Sequence, residues 1–361
     1  MIKYLGSKRA LVSHIVGAID ALEGVHSVLD LFSGTSRVGH ALKRRGYRVH
    51  ANDSARYAAT LARCYVEADR EDWYERAHAL LAEFDALEGE DGYVTETFCE
   101  RSRYFQPHNG RRIDRIRRAI RELDAEPQLE AILLTALLQA ADRVDSTAGV
   151  QMAYLKQWSP RSHRRLELRV PDLAPRAAAG ACRATCDDAL AVAHDATVDL
   201  AYVDPPYNQH KYLNNYHVWE TIVRDDRPAT YGVACKRVDC RERRSPFNAS
   251  GACADALEAV LTALRARYVL VSFSDEGFVG LARLRSMLAA LGRYSEHAVE
   301  RPRYVGARIG IHDGSGKRVG RVSHLRNKEH LFLLAKGDAP LPTNPWASAP
   351  LAAAPAQSPN V

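Results

Sequence analysis

The sequence predicts an α/β fold: a Rossmann-like, mostly parallel sheet interrupted by a largely helical insert. Two stretches carry this prediction. Residues 26–54, "HSVLDLFSGTSRVGHALKRRGYRVHANDS", read as strand, tight loop, helix and second strand. Residues 198–203, "VDLAYV", read as a buried strand that runs directly into Asp204-Pro205-Pro206-Tyr207. Two further apolar runs, "YVLVSF" (268–273) and "HLFLLAK" (330–336), supply later strands.

In the first unit, Val28, Leu29, Leu31 and Phe32 form a near-continuous apolar run, as expected of a parallel strand covered on both faces. Ser33-Gly34-Thr35 makes the turn. The helix is expected from about Ser36 to Arg45, with Gly46 as its stop. Tyr47 to Ala51 forms the second strand, which ends at Asn52-Asp53. Such a unit binds a nucleotide at the carboxyl end of the sheet, with an acid after strand two for ribose hydroxyls. Gly34, Ser36 and Gly39 fall on the positions of a GxGxxG loop, but its middle glycine is replaced. That glycine lets the backbone approach a dinucleotide's pyrophosphate, so Ser36 argues against NAD and FAD. S-adenosylmethionine carries ribose, adenine and a charged amino acid without phosphate. Its site needs acids, and Asp30 and Asp53 are positioned to supply them.

The insert, about 65–180, contains a buried helix, "LEAILLTALLQAA" (129–141). Ahead of it, "RSRYFQPHNGRRIDRIRRAIREL" (101–123) holds eight arginines, with Ile113, Ile116, Ile120 and Leu123 at helical spacing. The apolar stripe is expected to pack and the arginines to face outward, either as a solvated face or against phosphate. Two basic loops with aromatic neighbours, "KQWSPRSHRR" (156–165) and "KRVDCRERR" (236–244), tip the reading toward nucleic acid. The segment 339–361, rich in Pro and Ala with almost no charge, is expected to be disordered.

Bulk properties exclude several classes. With 361 residues, 46% of them hydrophobic and 26% charged, the chain has an ordinary globular composition, and its net charge of +6 is modest. No apolar run approaches the roughly 18 residues of a membrane span. The first ten residues lack a signal peptide's apolar core, so a cytoplasmic location is the expectation. The seven cysteines do not form a disulfide framework. The spacings of Cys182/Cys186 and Cys235/Cys240 are not those of a zinc knuckle, so free buried thiols and no metal are expected.

"KYLGSK" (3–8), "DLFSGT" (30–35), Asp53 and "DPPY" (204–207), in this order, resemble the Dam-like DNA adenine methyltransferases. "YFQPHNGRRIDRIR", "ADRVDSTAGVQMAYLK", "YNQHKYLNNYHVWETI" and "LVSFSDEGF" are similar to the restriction–modification branch that includes FokI-type methyltransferases. The likeness covers most of residues 1–336. It implies a Rossmann-like methyltransferase sheet, residues 1–64 and 181–338, around a mainly helical inserted recognition region, 65–180. It implies S-adenosylmethionine as cofactor. Tyr4 and Lys8 then belong to the N-terminal cofactor motif, Asp30, Phe32, Ser33, Gly34 and Thr35 to the methionine-side loop, and Asp53 to the ribose. Asp187 matches the acid facing the cofactor's adenine, with Asp188 as the alternative; Asp204 also lies near the methionine end. The family loop usually continues Gly-Thr-Gly. Here Ser36 takes the last place, where a serine is expected to be tolerated at a helix start.

Read alone, Asp-Pro-Pro-Tyr is a rigid turn, because proline lacks an N–H and fixes φ. Read with the other motifs, it is a clamp. The lone pair of a base's exocyclic amino group is delocalised into the ring. A carboxylate and a backbone carbonyl that accept its two hydrogens draw the nitrogen toward tetrahedral geometry. Asp204 and the Pro205 carbonyl suit this role, Pro206 stiffens the turn, and Tyr207 offers a face for a base swung out of the duplex. In-line attack on a sulfonium methyl follows, with proximity supplying much of the rate. Asn214, Asn215, Tyr216 and His217 are read as caps of the next helix, with Val218, Trp219 and Ile222 on its inner face, or else as contacts to the flipped base or DNA backbone.

The function expected is site-specific adenine methylation of double-stranded DNA by a monomer, with a cognate restriction endonuclease acting separately. An RNA purine methyltransferase is the alternative, and the long insert favours DNA because base edges must be read. A cytosine carbon methyltransferase would need a nucleophilic cysteine, typically after proline, and no cysteine here follows one. A repressor that kept the fold would not need the intact clamp.

Overall fold

Seven strands form one sheet in the computed structural model, which describes residues 1–209, 211–275, 277–302 and 326–347. They are β1 (Ser27–Asp30), β2 (Arg48–Asn52), β3 (Arg183–Thr185), β4 (Thr197–Val203), β7 (Arg265–Ser274), β8 (Gly292–Pro302) and β9 (Arg326–Lys336), in the order β3-β2-β1-β4-β7-β9-β8. β5 (Thr230–Tyr231) and β6 (Lys236–Arg237) form a separate hairpin. The first five strands of the sheet run parallel, and β9 lies antiparallel between β7 and β8.

Helices cover both faces: α1 (Val12–Asp20), α2 (Arg37–Arg44), α3 (Arg56–Ala62), α8 (Ala189–Asp195), α12 (Cys253–Ala263) and α13 (Leu281–Leu291). The side-chain alternation of a strand divides the core accordingly. Leu200 and Tyr202 of β4, with Tyr268 and Leu270 of β7, pack beneath α1 and α2. Ala201, Val203, Val269, Val271 and Phe273 pack against α8, α12 and α13. Residues buried on both sides read as continuous apolar runs, which is why these strands are visible in the sequence. Each fully buried Leu, Val or Phe is worth about 1.5–3 kcal/mol.

A third core belongs to the helical region: α4 (Arg70–Asp85), α5 (Tyr93–Thr95), α6 (Pro107–Glu122) and α7 (Pro127–Val144). It also takes in Tyr57 and Leu61 of α3 and Val218, Trp219 and Ile222 of α10 (His217–Arg224), with α9 (Tyr212–Asn215) and α11 (Asp239–Glu242) as short turns nearby. Among the described residues no helix is long and apolar enough to cross a membrane. All seven cysteines are free, and six of them are buried.

The arginine helix needs a correction. Ile113, Ile116 and Ile120 of α6 are buried as expected, but its arginines are engaged within the protein. Arg112 is buried and donates to the Leu166, Leu87 and Asp85 carbonyls and to Asp85 Oδ1. Arg117 donates to the Ile222 and Val223 carbonyls at the end of α10. Arg118 lies 2.8 Å from Glu90, Arg111 2.7 Å from Asp91 and Arg121 2.7 Å from Asp225, while Arg115 sits between Glu90 and Glu122. Acids, all but Glu122 from other segments, partner the face that spacing left open between solvent and phosphate.

The tail reading is corrected in part. Residues 339–347 are ordered: Tyr268 donates to the Pro340 carbonyl, and Leu341 and Trp346 pack on the sheet's core. The Trp346 indole donates to Ser295 Oγ at 2.9 Å and stacks on His297. Residues 348–361, the remainder of the expected disordered tail, lie outside the described residues.

Candidate active site

The strand order reverses between β1 and β4, the place where open α/β sheets bind ligands. Asp30 is in register with both Tyr202 and Ala51, so the carboxyl ends of β1, β4 and β2 lie level. A cavity of about 370 Å³ opens there, and it gathers Tyr4, Lys8, Asp30, Phe32, Ser33, Gly34, Thr35, Asp53, Asp187, Asp204 and Pro206. Pro205 is buried and Tyr207 stands outside the cavity lining, its ring 5.6 Å from that of Phe273. Five separate sequence regions thus meet at one site.

The loop after β1 is fixed by carboxylates. Asp53 Oδ2 accepts from the Gly34 N–H at 3.0 Å and its Oδ1 from Ala55 N–H at 2.9 Å. Asp30 Oδ2 accepts from Gly39 N–H at 3.0 Å. Gly34 has φ +52°, and a Cβ there would fall 3.4 Å from the Tyr4 ring, so this position favours glycine twice over. The Tyr4 ring stacks between Tyr212 and Tyr216, with centroids 5.3 and 4.6 Å away, and its hydroxyl is 3.2 Å from that of Tyr57. The N-terminal segment is also tied to the insert, where Lys3 pairs with Asp145 at 3.0 Å.

Burial pushes the Asp30 carboxyl up to about 7, against the Gly39 hydrogen bond and with help from the charge of Asp204. Burial raises Asp53 to about 6, opposed by its backbone donors. Lys8 is buried and lies 3.0 Å from Asp204 Oδ1 and 3.4 Å from Glu329 Oε2. Burial by itself favours its neutral amine, but the two carboxylates outweigh this and hold the ammonium well above the ordinary lysine range. Lys8 therefore reaches the clamp acid from within the same cavity as the loop after β1.

Ser36 does not act as a cap. It sits at φ +57°, fully buried, and its Oγ has no partner among the described residues. The left-handed conformation explains why glycine is the natural residue there. Asp188, by contrast, does cap: its Oδ1 accepts from Leu190 and Ala191 N–H at the start of α8. Asp187 is held through its backbone by Asn52.

The capping reading of residues 214–217 is also corrected. The N-terminus of α10 is capped by the insert, through Gln151 Oε1 accepting from Val218 N–H at 2.9 Å. Tyr216 accepts from Leu5 N–H, and His217 is buried against Tyr104 and Gln151, with burial taking its pKa down to about 3. Val218, Trp219 and Ile222 do form the inner face.

Sequence reasoning missed Arg37, Lys211, Tyr212 and Phe247, which line the cavity together with Arg243 and Arg244 of the basic loop 236–244. Phe247 meets Phe32 edge-on at 5.2 Å. It lies in "SPFNAS", a turn-like stretch whose sequence carries no link to residues 30–35.

Comparisons with known proteins point to one family. The profile of the D12 class N6 adenine-specific DNA methyltransferases matches residues 4–287. The chain is similar to the type II methyltransferase M.FokI of Planomicrobium okeanokoites, 30% identical over 80% of this chain and 47% of that one. It is similar to the modification methylase StsI of Streptococcus sanguinis, 26% identical over 79% of this chain and 46% of the other. The type II methyltransferase M.NlaIII of Neisseria lactamica is 29% identical over 81% of this chain and 89% of its own. The chain spans about half the length of the first two relatives. On the family profile and the motifs assembled in one cavity, the chain belongs to the D12 class N6 adenine-specific DNA methyltransferases.

Proposed function

We infer that the chain binds S-adenosylmethionine in this cavity and transfers its methyl group to the 6-amino nitrogen of an adenine flipped from duplex DNA, at a specific site. The observation that carries this reading is that Asp30, Asp53 and Asp204 line one cavity, so a cofactor loop and an amino-group clamp share it. The cofactor fits the donor set. Asp30, Asp53, Asp187 and Asp204 all line the cavity, and Asp53 already holds the Gly34 N–H that a pyrophosphate would use. These acids suit a cation with ribose hydroxyls.

When bound, the cofactor supplies a methyl on a sulfonium sulfur. Everything else is the work of this chain. Asp53 accepts from ribose hydroxyls, and Asp30 faces the amino-acid end. Asp187 accepts from the adenine moiety, a role supported over Asp188 because Asp188 is committed to the helix cap. Tyr4, Phe32, Ser33, Gly34 and Thr35 shape the walls. Lys8 holds one oxygen of Asp204 and so orients the carboxylate. Asp204 and the Pro205 carbonyl accept the two amino hydrogens of the target, and Tyr207 supplies a stacking face at the entrance. As the methyl joins the nitrogen, one hydrogen leaves it as a proton.

The catalytic core is assigned to residues 1–64 and 181–338 and the recognition region to 65–180. We assign a restriction–modification role, with a separate cognate endonuclease, on the printed names of the relatives. A monomer in the cytoplasm is the simplest setting. The RNA-directed alternative finds no support among the relatives. Labelled methyl transfer to duplex DNA and to ribosomal RNA tests the reading directly. Asp204→Ala is expected to abolish transfer while cofactor affinity stays within about tenfold, because the carboxylate acts mainly on the amino group in the transition state. Transfer to RNA alone, or near wild-type turnover by Asp204→Ala, would end it.

A further inference from the structure

The chain after the clamp builds a rigid finger beside the cavity. Thr230 pairs with Arg237 and Tyr231 with Lys236, and the turn runs through Gly232 to Cys235. The finger's base is cross-linked. Arg237, 1% exposed, donates to both oxygens of Asp226 at 2.7 Å each and to both of Asp239 at 3.0 Å each. Arg224 reaches the same two carboxylates at 3.0 Å. Paired guanidinium–carboxylate bonds of this kind are strong and directional. Cys235 is buried, and Tyr104 donates to the Ala234 carbonyl.

The tip is the opposite. Val233 is 78% exposed, far more than any other exposed large hydrophobic side chain among the described residues. The others are Met152 at 42% and Leu155 and Leu190 at 37%, and Met152 adjoins the finger through Lys236, whose ammonium is 3.4 Å from its sulfur. A braced base thus carries an exposed apolar tip, with a second exposed apolar side chain, Met152, at its side.

Charge identifies the occupant. Lys236, Arg241, Arg243 and Arg244 follow the tip, and Lys211, Arg243 and Arg244 line the cavity itself. Arg241 lies over the Tyr231 ring at 3.7 Å and is exposed. Arg243 has only a 3.8 Å approach to Glu220, and Arg244 has no acidic partner among the described residues. Asp226 and Asp239, the carboxylates closest in sequence, are already held by Arg237 and Arg224, which leaves Glu242 alone among the exposed cations. This is the reverse of α6, whose arginines are neutralised from within.

We propose that residues 230–244 hold the duplex across the cavity mouth, Arg241, Arg243 and Arg244 on its phosphates and Val233 against the base stack beside the departing adenine. The proposal rests on the DNA reading above. A two-stranded ribbon is narrow enough for the major groove. An apolar wedge that unstacks a step lowers the cost of extruding the neighbouring base.

The test uses the full chain and a duplex carrying its site, mapped by sequencing methylated adenines, with 2-aminopurine at the target. Wild type should raise the 2-aminopurine fluorescence. Val233→Asp should lose that rise and lower kcat/KM at least about tenfold, with cofactor affinity and thermal midpoint kept. Replacing Arg241, Arg243 and Arg244 together by Gln should flatten the salt dependence of binding by about three units of log–log slope, on cognate and random duplex alike. Wild-type flipping and rate in Val233→Asp, or an unchanged slope in the triple variant, would overturn the proposal. So would a change in sedimentation of Val233→Asp, which would make the tip an interface between copies. No transfer to DNA by wild type would instead sink the functional reading, and this surface with it.

Discussion

The ammonium of Lys8 lies 3.0 Å from Oδ1 of Asp204, deep enough that Lys8 is only 6% exposed. The same ammonium is 3.4 Å from Glu329 Oε2 and 5.9 Å from the centre of the Tyr207 ring. One buried cation therefore touches the clamp acid, the clamp aromatic and β9. It compensates the charge of Asp204 and fixes the direction of its carboxylate.

Lys8→Met should therefore act on turnover. Asp204 is partly exposed, so loss of its buried partner costs toward the low end of about 2–5 kcal/mol, and a catalytic hydrogen-bonding group left unheld loses roughly 10²–10³ in kcat. Cofactor affinity should stay within about tenfold. Single-turnover methyl transfer and calorimetric binding read the two effects separately. A weakened cofactor with unchanged turnover would confine Lys8 to the cofactor.

Cofactor binding should tighten as pH rises. Asp30 and Asp53 have pKa values raised to about 7 and about 6 in the folded chain. A raised carboxyl pKa means that the folded state binds protons more readily than the unfolded state. The stability these groups contribute is thus greatest in acid and is lost as pH rises through 6 and 7. A cationic ligand reverses the preference, because it favours both carboxylates ionised. Below pH about 7 its binding must release protons. Calorimetry in buffers of different ionisation enthalpy should show this release and a plateau in affinity above it. Asp53→Ala should remove part of the pH dependence and weaken binding by roughly 1.5–3 kcal/mol. A pH-independent affinity would sink the assignment of these acids to the ligand.

The cavity was legible in the sequence because its parts are local. The run Val28–Phe32, the turn at Gly34 and the strand ending at Asp204 each declare themselves within a few residues. Register then brings Asp30 level with Tyr202. What the sequence hid depends on distant partners. Arg121 meets Asp225 and Arg117 meets Val223 from more than a hundred residues away, so helical spacing identified the exposed face without its covering. The Val233 finger has strands of only two residues, too short for any period. Trp346 lies in a Pro- and Ala-rich stretch whose composition suggested disorder, yet one indole anchors it to Ser295.

Changing Arg112, Arg115 and Arg118 to Gln should destabilise the fold without touching DNA binding. Arg112 makes four hydrogen bonds, three of them to carbonyls of other segments. Its loss leaves those acceptors short, a cost of about 1–3 kcal/mol. The pairs of Arg115 and Arg118 with Glu90 are partly exposed and contribute about 0–1 kcal/mol. Denaturant unfolding should show the loss, and a salt series of duplex binding should keep the wild-type slope. A flattened slope would restore these arginines to phosphate.

Ser36→Gly should stabilise the protein. A serine at φ +57° stands in a conformation that costs an L-residue about 1–2 kcal/mol, and its buried Oγ has no hydrogen-bond partner in the structure. Glycine relieves both. Against this stands the greater freedom of glycine in the unfolded chain, about 0.5–1 kcal/mol. The balance predicts a gain of about 0.5–1 kcal/mol, read as a higher denaturant midpoint at constant slope. Ser36→Val should lose stability, because a β-branched side chain tolerates this φ poorly. The α2 start carries Gly39, whose N–H holds Asp30, so cofactor affinity should follow the loop's order and improve slightly in the glycine variant. A destabilised Ser36→Gly would mean that the serine hydroxyl finds a partner in solution and that the loop is not strained at this residue.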